Sequence, residues 1–306
     1  MRLHRFAVAT VFATLVLLVA GGLVSTTGSG LACPDWPLCE GQYLPPMQNG
    51  KEYEHTHRLI ASFVLVMTFG LTALLFKHRR EDRALQRLGV VAALGVGIQA
   101  LFGALTVWFR LPPAVSSTHL AIAMLFLSLL VTLAFLTRQR MPGARFHGLK
   151  PAVRLPLMGY WGAAIALIYL QIVGGAVMRH VQGGLACGHE LLTCLGEVWP
   201  AHSFIGVHAH LVHRYLGITA GIAVVLFAGR LLCAAPSHRA LRRLAFALVT
   251  GVVAQVVLGF WTVLSSRRLE VVNTHSTLAA LLLVGLVSAY WLMAPSRPPN
   301  PVTQAR

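Results

Sequence analysis

Long apolar runs dominate this sequence and restrict the folds that it can adopt. Eight runs each approach the length of about 20 residues that an α-helix needs to cross about 30 Å of hydrocarbon. Their polarity does not alternate from residue to residue, as it would in the strands of a membrane β-barrel. The sequence therefore predicts an all-α integral membrane protein with eight transmembrane helices. The predicted spans are roughly 6–27, 53–76, 87–109, 116–137, 155–178, 205–232, 244–265 and 270–293.

The composition agrees with this class of protein. Of the 306 residues, 56% are hydrophobic and only 11% are charged, which is too little charge for the surface of a soluble domain. The first apolar run follows Arg2 and Arg5, as in a signal peptide. It is long for a signal peptide, however, and no A-x-A cleavage site closes it. We therefore expect this run to be a retained membrane anchor.

The basic residues are distributed as topology signals, although a net charge of +16 could suggest nucleic-acid binding. Most of the 25 Lys and Arg residues lie in the two termini and in the segments that follow even-numbered spans. The positive-inside rule then predicts that both termini are cytoplasmic in a multi-pass protein of the bacterial cell (inner) membrane. We therefore expect the basic residues to face the lipid bilayer, and we expect no nucleic-acid partner.

An internal repeat relates the first four spans to the last four. An offset of 156 residues takes His57 to His213 and His119 to His275. The same offset also relates Arg58 to Arg214, Gln99 to Gln255, Gly103 to Gly259, Thr106 to Thr262 and Thr118 to Thr274. Four helices separate equivalent points, so the two halves have the same orientation. We predict two tandem four-helix bundles with a parallel pseudo-twofold axis along the membrane normal.

The longest inner segment divides the predicted helices four and four. We expect an N-terminal half over residues 1–137 and a cytoplasmic linker over 138–154. A C-terminal half follows over 155–293, and the Pro-rich stretch 294–306 is expected to be a disordered cytoplasmic tail.

Four histidines at matched positions of the repeat are the candidate metal ligands. His57 and His119 lie near the outer starts of spans 2 and 4, so their side chains are expected at similar depth. A haem between them could take one imidazole on each face of its iron. His213 and His275 have the same relation in the second half. A single histidine could simply bond a neighbouring helix, and a zinc site would need further ligands at spacings that are absent.

Other histidines in the outer segments have simpler interpretations. His208 lies where span 6 begins and is interpreted as a marker of that boundary. The remaining outer histidines are interpreted as loop or rim residues, most of them solvated: His55, His180, His189 and His202.

A carboxylate beside the first histidine pair breaks the repeat. Glu54 lies one turn before His57, and His210 occupies the equivalent position in the second half. Glu54 is either an acid, base or proton carrier beside one haem, or a helix N-terminal acid favoured by the helix dipole. Arg58 and Arg214 could pair with haem propionates or extend to the membrane interface.

Four of the five cysteines lie in two equivalent outer loops. Outside the cytoplasm, an oxidising environment favours the disulfides Cys33–Cys39 and Cys187–Cys194. Spacings of six and seven residues allow both bonds without proving them. A redox role for these loops is left open, and Cys233 near the inner end of span 6 is expected to be inert.

The segment from Gly28 to Cys39, which contains the run Cys-Pro-Asp-Trp-Pro-Leu-Cys, is followed by Glu54-x-x-His57-Arg58. Together these motifs resemble the haem A synthase family, and the resemblance covers roughly residues 6–293. It implies oxidation of the C8 methyl of haem O to a formyl group, which produces haem A for terminal oxidases. The second loop departs from the family pattern because Cys187-Gly188-His189-Glu190 lacks the Pro-Asp-Trp run.

The resemblance also implies residue roles and partners. His57 and His119 would flank the substrate haem, Glu54 would be the catalytic carboxylate, and Cys33 and Cys39 match the family's first-loop pair. His213 and His275 would ligate a resident haem b, which would relay electrons. Expected partners are haem O, haem O synthase, cytochrome oxidase assembly factors and an unidentified electron donor; a homo-oligomer is left open.

Two other functions use the same histidines. A bis-histidine cytochrome b subunit would carry electrons without chemistry, but it does not explain why Glu54 occurs in one half only. A haem transporter or chaperone would use the ligands for transit. The haem extracted from the protein separates the three alternatives.

Overall fold

The architecture is a bundle of long α-helices, seen here in a computed structural model that describes residues 2–141 and 148–295. Within these residues eight helices are long and apolar enough to cross a membrane, which confirms the predicted all-α fold. They are α1 (Arg2–Thr27), α2 (Lys51–His78), α3 (Arg83–Trp108), α4 (Pro113–Gln139), α5 (Pro151–His180), α6 (Ile205–Ala234), α7 (Arg239–Leu264) and α8 (Leu269–Met293). The predicted tail lies outside the described residues from position 296 onward, and so does the linker over 142–147.

The helices extend beyond the apolar runs where polar residues favour helix ends. α3 begins after Asp82, whose carboxylate accepts the Leu85 N–H at 3.1 Å and thereby caps the helix. α4 and α5 each have a proline at the first helical turn, Pro113 and Pro151, where a missing N–H costs nothing. α7 begins at Arg239, five residues before the predicted span, because its first turn is basic and lies outside the apolar run.

The helices pack as two rings of four. In the first ring α1, α2, α3 and α4 each contact the next, and α1 also contacts α4. The second ring is built from α5, α6, α7 and α8 in the same way, and α5 contacts α8. α2 and α4 are therefore opposite members of the first ring, and α6 and α8 of the second. The parallel twofold relation of the halves stays a prediction.

The two rings meet along α1, α4, α5 and α8. α4 is the most enclosed helix, since half of its most apolar stretch is buried. Leu127 of α4 faces one core cluster with α5 to α8, whereas Leu130 faces the cluster of the first ring. Trp291 Nε1 donates to Thr132 Oγ1 at 3.1 Å and joins α8 to α4. One core cluster thus extends across the junction between the two rings.

Two long loops, 28–50 and 181–204, close one end of the bundle; they are called the outer loops after their predicted orientation. Each contains a disulfide, Cys33–Cys39 or Cys187–Cys194, with Cα atoms 4.8 and 4.6 Å apart, and both predicted bonds are confirmed. Cys39 and Cys194 also each form an isolated β-bridge three residues onward, to Gln42 and Glu197. The two loops therefore share a fold despite their different sequences.

Candidate functional site

The first ring brings His57 and His119 together in its interior. They lie on the opposite helices α2 and α4, close enough to interact electrostatically. The Nδ1 atoms of both imidazoles are buried and have no hydrogen-bond partner among the described residues. Unpaired buried ring nitrogens are costly. The pair is therefore a candidate for binding a group that belongs between two imidazoles.

Glycines leave room for both imidazoles of the first ring. A β-carbon at Gly21 of α1 would lie 3.0 Å from His57 Cε1, and one at Gly103 of α3 would lie 3.7 Å from His119 Cε1. Gln99 Nε2 donates to the His119 carbonyl oxygen at 3.1 Å. The small residue beside each ring thus allows the imidazole to lie flat against the neighbouring helix.

The second ring has the same arrangement around His213 and His275. β-carbons at Gly175 and Gly259 would lie 2.9 and 3.3 Å from the Cε1 atoms of these two histidines. Both Nδ1 atoms are again buried without a partner among the described residues. These imidazoles also interact electrostatically.

Side-chain amides contact the Nε2 atoms of both histidines in the second ring. Gln171 Nε2 donates to His213 Nε2 at 3.2 Å, and Gln255 Nε2 approaches His275 Nε2 at 3.3 Å. A nitrogen that accepts such a bond is unprotonated, and iron would take the same lone pair in place of the amide. Two neutral imidazoles across a bundle core therefore fit a bis-histidine haem.

Sequence reasoning missed the α1 and α5 residues of both sites. Gly21 and Gly175 are related by 154 residues and not by the offset of the histidines, which hides the match. Gln171 has no polar counterpart in the first half, where Leu17 occupies that position. The signal that could have found the glycines is the smaller offset, which also relates Gly30 to Gly184.

Glu54 is buried and connects α2 to the first outer loop. The residue is only 3% exposed. Oε2 accepts the Cys33 N–H at 2.8 Å, and Oε1 accepts from Arg58 Nη2 at 2.5 Å. The carboxylate thus accepts two hydrogen bonds beside the disulfide, one helical turn from His57.

The two arginines that directly follow His57 and His213 in the chain bind loop carbonyls. Arg58 Nη1 donates to the carbonyls of Asp35 and Leu38 at 2.6 and 2.5 Å. Arg214 donates in the same way to the carbonyls of Thr193 and Glu190 at 2.8 and 2.5 Å. These bonds compete with the predicted propionate contacts of both arginines. Each arginine anchors its outer loop to the helix that carries a histidine.

Equivalent carboxylates stabilise the two disulfide loops. Asp35 accepts the N–H groups of Gly41 and Glu40, and the bond from Gly41 is the main reason why the pKa of Asp35 lies below its usual value. Glu190 accepts from the Thr193 hydroxyl and from the Gly196 N–H, and the Thr193 bond chiefly lowers its pKa. Glu190 therefore replaces the aspartate of the missing Pro-Asp-Trp run.

His55 is not one of the solvated rim histidines. It is 3% exposed, and its Nε2 donates to the Tyr43 carbonyl at 2.8 Å. A ring nitrogen of His55 lies within 4.8 Å of the sulfurs of Cys33 and Cys39. In the second half Leu211 packs in the cluster around Cys187 and Cys194. His55, like Glu54, thus gives the first loop a polar character that the second lacks.

Comparisons with known proteins cover both rings. A family model described as "Cytochrome oxidase assembly protein" (COX15-CtaA) matches residues 4–287. A protein of Alkalihalophilus pseudofirmus named Heme A synthase is 28% identical over 299 residues, which cover 97% of this chain and 98% of the relative. Proteins with the same name from Halalkalibacterium halodurans and Staphylococcus saprophyticus are 29% and 27% identical, over 96% and 93% of this chain and 99% and 93% of theirs.

Proposed function

Because the chain belongs to the family of cytochrome oxidase assembly proteins termed COX15-CtaA, we propose that it is a membrane oxidoreductase that makes haem A from haem O. The relatives named Heme A synthase match it along nearly its full length. The observation that carries the proposal is the pair of imidazoles in the interior of each ring, whose Nδ1 atoms are buried without a hydrogen-bond partner among the described residues. The proposed reaction is a four-electron oxidation that replaces two hydrogens of the C8 methyl of haem O by one oxygen atom, with molecular oxygen as the oxidant that is reduced to water.

The two rings have different roles in the proposed enzyme. In the proposed enzyme His57 and His119 hold the substrate, haem O, in the first ring. His213 and His275 hold a resident haem b in the second. A bound haem b supplies one-electron transfer, which amino-acid side chains cannot provide for the oxidation of an unactivated methyl group. In the haem-bound protein the amides of Gln171 and Gln255 would give up their contacts with the two Nε2 atoms, because each of these nitrogens has a single lone pair.

Glu54 is the proposed catalytic carboxylate. It lies one helical turn from His57 and occurs only in the ring assigned to the substrate. Arg58 stabilises its negative charge through Oε1, while Oε2 remains bonded to the Cys33 N–H. Both oxygens accept hydrogen bonds, so proton exchange at this carboxylate would require one of these bonds to be released. Its position beneath the outer loop gives it a short route to water outside the membrane.

The proposed orientation follows from the charges. Both termini are cytoplasmic, and the disulfide loops face the outside of the bacterial inner membrane, where the environment is oxidising. Substrate would come from haem O synthase and product would pass to cytochrome oxidase assembly factors. The electron donor remains unidentified, and a homo-oligomer remains open.

Mass analysis of extracted haem tests this function. The full chain is co-expressed with a source of haem O, purified, and its haem extracted. We expect haem A together with haem b. Haem b alone would favour an electron carrier, and substoichiometric, readily exchanged haem a transporter; either result would overturn the proposal. His213→Ala and His275→Ala should lose the low-spin haem b spectrum, whereas His57→Ala and His119→Ala should keep most of it.

A further inference from the structure

Arg179 occupies the outer end of the second histidine site. It lies in the last turn of α5, one turn after Gly175, which contacts His213. Residues four apart share a helix face, so Arg179 lies on the side of α5 that faces the His213 imidazole, one turn nearer the outside. Its Nη2 atom is buried and has no hydrogen-bond partner among residues 2–141 and 148–295.

A second arginine lies close to the first. Arg267, in the turn between α7 and α8, is exposed and interacts electrostatically with Arg179. A β-carbon at Gly184 would lie 3.0 Å from the Cζ, Nε and Nη1 atoms of Arg267, so the guanidinium packs against the second outer loop. Two positive charges therefore flank the outer side of the His213 and His275 pair.

No carboxylate of the protein's side chains neutralises these charges. All nine Asp and Glu residues of the chain lie in the described part, and none is within ion-pair distance of either arginine there. A partly buried cation beside a like charge is unfavourable by itself. Such a pair is typical of a site where an anionic ligand completes the charge balance, since guanidinium groups bind carboxylates in a fixed, often bidentate geometry.

We propose that Arg179 and Arg267 bind the propionate carboxylates of the haem in the second ring. This inference rests on the proposed function, which puts a haem between His213 and His275. A haem held by these two imidazoles can direct its charged edge outward, where both arginines lie. The role assigned from sequence to Arg214 thus passes to Arg179 and Arg267, because Arg214 already binds loop carbonyls.

The first ring lacks this anionic subsite. Ser25 stands one turn after Gly21, where the second half has Arg179. Leu111 packs its Cδ2 3.2 Å from the β-carbon position of Gly30, in the place that Arg267 takes against Gly184. A haem in the first ring therefore gains no such charge-assisted bonds. The difference explains how two similar histidine pairs can keep one haem and release the other.

Binding of haem b and of its dimethyl ester to the full-length haem-free protein in lipid-free detergent tests the site. The ester retains the iron and ring but has no carboxylates. Wild type should bind haem b in the second ring roughly ten- to hundredfold more tightly than the ester, as expected for charge-assisted bonds. Arg179→Gln and Arg267→Gln should each reduce this preference, and the double variant should abolish it. Arg110→Gln, an exposed arginine of the first half, should leave the preference unchanged.

Two further readouts separate a propionate site from a structural role. Arg179→Gln should lower the midpoint potential of the haem, because a positive charge near the iron favours the reduced form. It should also raise the melting temperature of the haem-free protein, because the repulsion from Arg267 is lost. Arg179→Lys, which keeps the charge, should retain most of the potential.

The outcomes distinguish the inference from the function on which it rests. If wild type binds neither haem, the proposed haem site itself fails. If wild type binds both equally and His213→Ala binds neither, the haem site stands and the propionate subsite is overturned. Equal binding of the two haems is also the result expected if the arginines bind a lipid phosphate. An unchanged preference in the double variant would likewise overturn the subsite.

Discussion

Glu54 and His210 occupy equivalent positions and both join a helix to an outer loop. Glu54 accepts the Cys33 N–H, whereas His210 Nδ1 donates to the Gly183 carbonyl at 2.7 Å. The first ring therefore has a carboxylate at this position and the second ring an imidazole. The structure also gives Glu54 a mechanical role through its bond to the loop. A test must separate the two roles.

Glu54→Gln should form little haem A while keeping resident haem b and the ability to bind haem O. Removal of a general acid or base typically lowers the rate by about 10²–10⁴-fold. Glu54→Asp should recover part of the rate, since the charge is kept but the side chain is shorter by a methylene. The measurement is haem A formed per mole of bound haem b.

Asp35→Asn is the matched control for the mechanical role of Glu54. It weakens the same loop but leaves the Glu54 carboxylate in place. If loop anchoring explains the defect, both variants should lose thermal stability and turnover in parallel. Near-normal turnover per folded molecule in Glu54→Gln would rule out a catalytic carboxylate.

Helix packing against the histidines can be tested with neighbouring glycines of α5. A β-carbon at Gly175 would lie 2.9 Å from His213 Cε1, closer than real contacts allow, whereas one at Gly174 would lie 3.8 Å from Leu216 Cδ2. Gly175→Ala should therefore displace the imidazole and weaken haem b binding roughly tenfold, as expected for overpacking of a core. Gly174→Ala should bind haem b normally.

The measurement is the low-spin haem spectrum during titration of the haem-free protein with haem b. Equal affinities in Gly174→Ala and Gly175→Ala would contradict the assignment of His213 as a ligand in this packing. Both substitutions raise helix propensity, so a selective loss in Gly175→Ala cannot come from the helix backbone.

The first outer loop should loosen in acid. Hydrogen bonds lower the pKa of Asp35 in the folded protein. The carboxylate therefore stabilises the loop fully at a pH above its pKa in the unfolded chain, which is ~4. That effect is lost as the pH falls through the lower folded value. Trp36, whose ring contacts Trp108 edge-on at 6.0 Å, reports on this loop.

The difference in tryptophan fluorescence between wild type and Asp35→Asn provides the measurement. At neutral pH the variant should already resemble the acid form of the wild type, and the two signals should converge below pH ~4. Signals that are identical at neutral pH would show that the carboxylate does not hold the loop.

The orientation of the whole molecule can be read from two exposed loop positions. The four disulfide cysteines are buried and react poorly, so new cysteines are preferable. In a Cys233→Ser background, Leu192→Cys lies in an outer loop at 78% exposure and Ser237→Cys lies between α6 and α7. An impermeant maleimide added to intact spheroplasts should label only Leu192→Cys. Labelling of only Ser237→Cys would reverse the proposed orientation.

Features that depend on hydropathy or on residues close together in the chain could be predicted from the sequence. Apolar length predicted eight spans, cysteine spacing and compartment predicted the two disulfides, and short motifs around Cys33 and Glu54 predicted the family; all three are confirmed. Each depends on residues close in the chain or on hydropathy. A long apolar helix satisfies its own backbone hydrogen bonds within the segment, so its existence does not require knowledge of its neighbours.

The partners of the charged side chains could not be predicted from the sequence, because they depend on how the helices and loops pack. Arg58 and Arg214 lie beside the histidines in sequence but bind loop carbonyls that are 20 to 24 residues away. Arg179 and Arg267 are 88 positions apart in the chain and become neighbours only when α5 and the α7–α8 turn meet. Long side chains reach several ångströms in many directions, so their partners depend on how helices and loops pack, which no local pattern specifies.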